Sequence, residues 1–161
     1  MSARLALLRS RLRRERGDLD PTVRTVRRQW ARVGTSDGET DAYLDSTALH
    51  MHAFYTGLEV MFEDIARSLD GEVPAGDRWH ARLLEQMTHP IEDIRPAVID
   101  PGLATRLDAF RRFRHLVRNV YATNLIPDRM ADLVASIHEV WQDVQDALDR
   151  FDSFLEQAGA P

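Results

Sequence analysis

From Thr40 to Leu69 the apolar residues Tyr43, Leu44, Ala48, Met51, Tyr55, Leu58, Phe62, Ile65 and Leu69 recur at intervals of three and four, with no stretch of strict alternation. A strand turns its side chains over every second residue, so a run of this length and period can bury one continuous face only as an α-helix. The face is wide enough to place the helix at the centre of a bundle, and Gly71 with Pro74 predicts its end. The same period returns in Met130, Leu133, Val134, Ile137, Val140 or Trp141, Val144, Leu148, Phe151 and Leu155, and more briefly in Leu5, Leu8 and Leu12. Punctuation divides the rest. Gly17 to Pro21 predicts a break or kink in a first helical segment over residues 2–32, with Asp20 as N-cap and Pro21 at the first helical position of a second piece. Gly34 to Glu39 reads as a polar loop, and Asp77 as the cap of a short helix ending near Met87. His89-Pro90 and Arg95-Pro96 mark a connection, Asp100-Pro101 opens a helix expected to reach about Asn124, and Pro127 opens the last, running to near Gln157. The expectation is an all-α fold, an antiparallel bundle of four long helices plus a short helix, in a single domain over residues 1–161. Gly57, inside the central helix, costs about 1 kcal/mol of helix propensity against alanine and predicts a close helix crossing.

Composition narrows the chemistry. With no cysteine, the chain has no disulfide scaffold, thiolate zinc site or cysteine nucleophile. Its apolar runs are short and its arginine-rich start lacks the apolar core of a signal peptide, so the expectation is a soluble cytoplasmic protein without membrane contact. The net charge of −5 hides a segregation: residues 1–32 hold ten Arg against three acids, and residues 106–118 five Arg against one. Two basic strips meeting on the surface would form a phosphate-attracting patch on an acidic protein. All 21 basic residues are arginine, which suits forked phosphate binding and equally fits a GC-rich coding bias.

The densest polar cluster is Arg112-Phe113-Arg114-His115-Leu116-Val117-Arg118-Asn119-Val120-Tyr121. On a helical wheel Tyr121, Arg114, Arg118, Arg111 and His115 share an arc of roughly 120°, beside a core face of Phe110, Phe113, Val117 and Val120. Read as ordinary residues, these arginines are a solvated or ion-paired flank of the core stripe. Read as chemistry, Arg111, Arg114 and Arg118 are phosphate ligands, and His115 is the one motif side chain able to exchange a proton near neutrality. Metal chemistry is not expected and no cofactor is implied. His50 and His52 diverge on their helix, His138-Glu139 has no second histidine four residues on, and His80 and His89 straddle a loop start. Glu59 and Glu63, four apart, lack the Glu-x-x-His companion of a di-metal helix, and Arg67 is the simpler partner for Glu63. Trp30, Trp79 and Trp141 read as core or interface anchors.

Arg114, Asn119 and Tyr121 form Arg-x4-Asn-x-Tyr, which resembles the Arg-x4-His-x-Tyr signature of the HepT type of HEPN-domain ribonuclease toxins, with Asn for His. The block from Leu49 to Glu63 looks like the helix preceding that motif, and Trp79 to Met87 also fits the group. Together the blocks cover roughly residues 43 to 125 in order. The resemblance implies a HEPN-like bundle, a homodimer whose motif helices line a shared cleft, and a metal-independent RNA endonuclease belonging to a toxin–antitoxin system. It assigns catalysis to Arg114 and to the Asn119 position with His115, and makes Tyr121 the target of a minimal nucleotidyltransferase antitoxin. An amide cannot transfer a proton at ordinary pH, which leaves three readings open: His115 takes over, catalysis is electrostatic, or the protein is an inactive member that only binds its partner. A separate alternative, drawn from charge alone, is a nucleic-acid-binding helical module using residues 1–16.

Overall fold

The computed structural model describes residues 3–35, 38–119 and 127–159, with the side chains of Arg118 and Asn119 left out. Five α-helices follow in order: α1 (Ala3–Trp30), α2 (Thr40–Ile65), α3 (Trp79–Gln86), α4 (Pro101–Asn119) and α5 (Pro127–Ala158). A π-helical turn, Ala66–Asp70, prolongs α2 to Gly71, whose φ of 78° lets its N–H close back on the Ala66 carbonyl at 2.9 Å.

Side-chain pairs set the directions. Arg4 reaches the Arg67 carbonyl, Arg11 reaches Asp64, and Leu19 lies on Gly57, so α1 and α2 are antiparallel. Arg9 meets Asp152 while Asp20 meets Trp141, so α5 also runs against α1. Arg106 pairs with Glu139 and Asp143 on α5, and residues 96–100, just before α4, line a cavity with Ala147, Arg150 and Phe151. That makes α4 antiparallel to α5 and therefore opposed to α2. The helices form a square in the order α1, α2, α4, α5, with α3 laid across α2 and α4. At its centre Phe54 packs edge-on against Phe110 at 5.3 Å and against Trp141 at 6.0 Å across the α2–α5 diagonal.

Several local expectations hold. Asp100 caps α4, its Oδ1 accepting the Leu103 N–H at 2.8 Å. Gly57 marks the α1–α2 crossing, where a Cβ would stand 2.6 Å from Leu19 Cδ2. Three do not. First, α1 passes unbroken through Gly17 and Pro21, with Leu19, Val23 and Val26 buried on either side of the proline. Burial of the residues on both sides outweighs the lost backbone bond and the crowding of the ring against the i−4 carbonyl. Second, Asp20 is a tie between helices rather than a cap, its Oδ1 accepting the Trp141 indole N–H at 3.1 Å. Third, α3 begins after Arg78 with no side-chain cap, so Asp77 does not serve as one.

The charge segregation has a structural use that sequence alone did not reveal. Arg9 donates to Asp152 through Nε (2.6 Å) and Nη2 (2.9 Å), Arg13 reaches the same carboxylate at 2.9 Å, and Arg16 pairs with Asp149. Three arginines of the first basic strip thus form a seam with the acidic face of α5, while Arg4 and Arg11 turn to α2. Since α1 and α4 sit at opposite corners of the square, the two strips do not join into one patch. The hydrogen bond from Arg9 holds the Asp152 carboxyl at about 2, below its usual 3.8. A depressed carboxylate stabilises the fold fully above its unfolded value and loses that contribution as pH falls through the folded one. Asp152→Asn is therefore expected to be less stable than the parent by a constant margin above about pH 4, a margin that closes between pH 4 and pH 2. Urea melts at stepped pH test this; a margin unchanged at pH 2 would contradict it.

Candidate functional site

Arg114 is the motif residue whose surroundings decide most. It lies on the inner side of α4, only 7% exposed, and α2 and α3 supply its partners. Its Nη1 donates to Glu59 Oε1 at 2.7 Å, and its Nη2 lies 2.8 Å from His80 Nδ1 and 3.4 Å from His80 Nε2. Glu59 Oε2 is 2.6 Å from His80 Nδ1, closing a triangle of carboxylate, imidazole and guanidinium. The Arg114 guanidinium also stands 5.4 Å from the centre of the Tyr55 ring. Burial, with Glu59 adding to it, pushes the Tyr55 phenol well above its ordinary range, so it stays protonated.

The triangle constrains proton positions. A guanidinium only donates and a carboxylate only accepts, so His80 Nδ1 serves one of them at a time. With its proton on Nδ1 the ring donates to Glu59 and presents Nε2 as an acceptor; with Nδ1 bare it accepts from Arg114 and Nε2 carries the proton. Trp79 stacks on the same ring, with centroids 3.7 Å apart and planes at 30°, fixing its orientation from the other side.

The His80 ring also lines an open cleft of about 680 Å³ between the start of α3 and the outer side of α4. Residues Gly76 to Ala81 form one wall, and Arg111, Arg112 and His115 the other. The cleft gathers three guanidiniums (Arg78, Arg111, Arg112), two imidazoles (His80, His115) and one carboxylate, Asp77. Arg111 and Arg112 are steadied by Asp108, each through Nε, at 2.6 and 2.8 Å. Nε-directed pairing leaves the outer guanidinium nitrogens pointing along the side chain, the geometry that grips a phosphate edge.

The structure therefore brings Arg111, Arg114 and His115 to one region of α4, with Arg114 on the buried side and the other two on the cleft. The side chains of Arg118 and Asn119, and the whole of Tyr121, lie outside the described residues. Two residues were not anticipated as site members: His80, set aside with the loop histidines, and Glu59, considered only for metal. The sequence carried a hint of each, since Trp79-His80 fell in one family-like block and Glu59 in the other. Glu63 does pair with Arg67, at 3.2 Å. Among the described residues no group of three or more His, Asp or Glu is placed to hold a metal ion, and no helix is long and apolar enough to cross a membrane.

A family model described as HepT-like protein matches residues 46–155, from the first third of α2 almost to the end of α5. No curated protein and no solved structure matches the chain. The matched stretch contains Glu59, His80, Arg114 and His115, and leaves α1 outside it.

Proposed function

The chain belongs to the HepT-like family, and on that premise we propose that it is the toxin component of a prokaryotic toxin–antitoxin pair, a metal-independent RNA endonuclease working at the cleft between α3 and α4. In this reading residues 1–161 act as one domain in the cytoplasm, as a homodimer, with Tyr121 as the residue a nucleotidyltransferase antitoxin modifies. The observation that carries it is the cleft: guanidiniums for a phosphodiester and imidazoles for its protons, beside the motif arginine. RNA cleavage without a metal needs a 2′-hydroxyl deprotonated, a 5′-oxygen protonated and the charged transition state stabilised by fixed donors. Arg111 and Arg112 supply donors at the cleft, and Arg114 holds Glu59 and His80 in place behind it.

Incubating the purified chain with total RNA and tRNA in EDTA is expected to give cleavage, reduced by at least about 100-fold in His115→Ala and in Arg114→Ala. Melting curves of both variants separate chemistry from folding. No cleavage by the parent, or rates unchanged in both variants, would sink the enzymatic reading.

One observation favours a second reading, a catalytically inactive interaction protein: the motif arginine is already neutralised by Glu59. That reading expects a stable complex with a nucleotidyltransferase-type partner and no growth defect on expression. The pairing of Arg9, Arg13 and Arg16 with α5 weighs against the alternative of a nucleic-acid module built on residues 1–16.

A further inference from the structure

We infer that His80 is a second proton-carrying residue of the cleft, oriented by Glu59, and that it acts with His115 on a phosphodiester bound there; this rests on the ribonuclease reading above. Four observations carry it. The His80 ring lines the same cleft as His115. Its Nδ1 is 2.6 Å from a Glu59 carboxylate oxygen and 2.8 Å from Arg114 Nη2; in the tautomer that donates from Nδ1 to Glu59 the ring has a basic Nε2, and the carboxylate stabilises the imidazolium once a proton is taken. Its side chain is 22% exposed, enough for contact with a ligand, while Glu59 at 6% is shielded from water, which strengthens their coupling. Trp79 stacked on the ring prevents it from turning away. The charged and titratable groups around it are Glu59 on α2, Asp77 and Arg78 at the start of α3, and Arg111, Arg112, Arg114 and His115 on α4.

The chemistry balances with these two imidazoles. His80 Nε2 takes the proton of the ribose 2′-hydroxyl as that oxygen forms its bond to phosphorus. The bond from phosphorus to the 5′-oxygen breaks, and His115, entering as imidazolium, gives its proton to that leaving oxygen. The products are a 2′,3′-cyclic phosphate and a 5′-hydroxyl end, and exchange with water resets both rings. This assignment answers the difficulty posed by Asn119, whose amide carries no transferable proton: the base comes from α3 rather than from the motif.

Two measurements on the full chain test it. In EDTA, with a single-stranded oligoribonucleotide, His80→Gln is expected to lose about 100-fold or more in kcat/KM and to lose the acidic limb of the pH profile, while melting like the parent. In parallel, imidazole resonances are followed against pH with and without inorganic phosphate. Phosphate is expected to raise the titration midpoints of both His80 and His115, since a nearby anion favours the charged ring. If the parent cleaves and His80→Gln keeps its rate and both limbs, the inference falls and the ribonuclease reading stands. If the parent does not cleave but phosphate moves both midpoints, the ribonuclease reading falls and His80 stands as a proton-binding member of a phosphate site. A His80 midpoint that phosphate leaves unmoved overturns the inference in either case.

Discussion

Arg95→Ala is expected to lower the stability of the fold by about 3–5 kcal/mol. Arg95 lies in the connection between α3 and α4, yet its side chain is fully buried. It grips Asp70 with two parallel bonds, Nε to Oδ1 at 2.6 Å and Nη2 to Oδ2 at 2.7 Å. Its remaining donors go to the carbonyls of His89 (3.0 Å), Pro96 (3.1 Å) and Gln86 (3.2 Å), and the Gln86 amide donates to Asp70 at 2.6 Å. One guanidinium therefore joins the end of the α2 extension, the end of α3 and the loop before α4. Removing it strands a carboxylate that is 3% exposed and three backbone carbonyls at once. For a chain of this size the melting temperature is expected to fall by about 10 °C. A drop under about 1 kcal/mol in urea titration would mean that water reaches Asp70 readily and the knot does not hold the loop.

Glu59→Ala is the second large effect, and it separates architecture from chemistry. Truncation leaves the Arg114 guanidinium, 9% exposed at its side chain, without its carboxylate, for an expected loss of about 3–5 kcal/mol. Removing the charge on both sides, in Glu59→Leu with Arg114→Met, should recover much of that loss, because apolar residues of similar volume often replace a buried ion pair at little cost. The double-mutant cycle is expected to show a coupling energy of about 2 kcal/mol or more, measured by urea unfolding. A coupling near zero would show that the two residues do not share a desolvated contact. His80 gives the variant a second signature: without Glu59 its Nδ1 is left to Arg114 alone, which favours the tautomer protonated at Nε2, readable from the imidazole nitrogen shifts where the fold survives.

The helices themselves were legible because their causes are local. The three-four spacing of apolar side chains predicted α2 and α5 almost to their ends, and Asp100-Pro101 predicted the start of α4. Gly57 announced the α1–α2 crossing because a helix keeps an interior glycine at a cost, and here Leu19 occupies the space a methyl would need. Local signals failed where burial competed with them. Pro21 reads as a break in any single-sequence rule, but the residues flanking it pack into a core that α2 and α5 supply. Asp20 and Asp77 are good caps by composition; Asp20 is drawn instead to Trp141, and α3 opens after Arg78, with Asp77 lining the cleft.

The site was half legible for a related reason. Arg114 and His115 stood out within ten residues of each other in sequence, whereas Glu59 lies 55 positions from Arg114 and His80 lies 34 away. By itself the sequence determined which segments are helical, where most of them stop, the all-α bundle and the family, because periodicity and capping act within a turn or two of chain. Only the tertiary structure decided that Arg9, Arg13 and Arg16 of the first basic strip are bound to α5, that the motif arginine is buried against Glu59, and that His80 shares a cleft with His115. Those facts depend on which helix faces meet, and a charge or an imidazole takes its chemical role from neighbours that the folded chain brings within 3 Å of it.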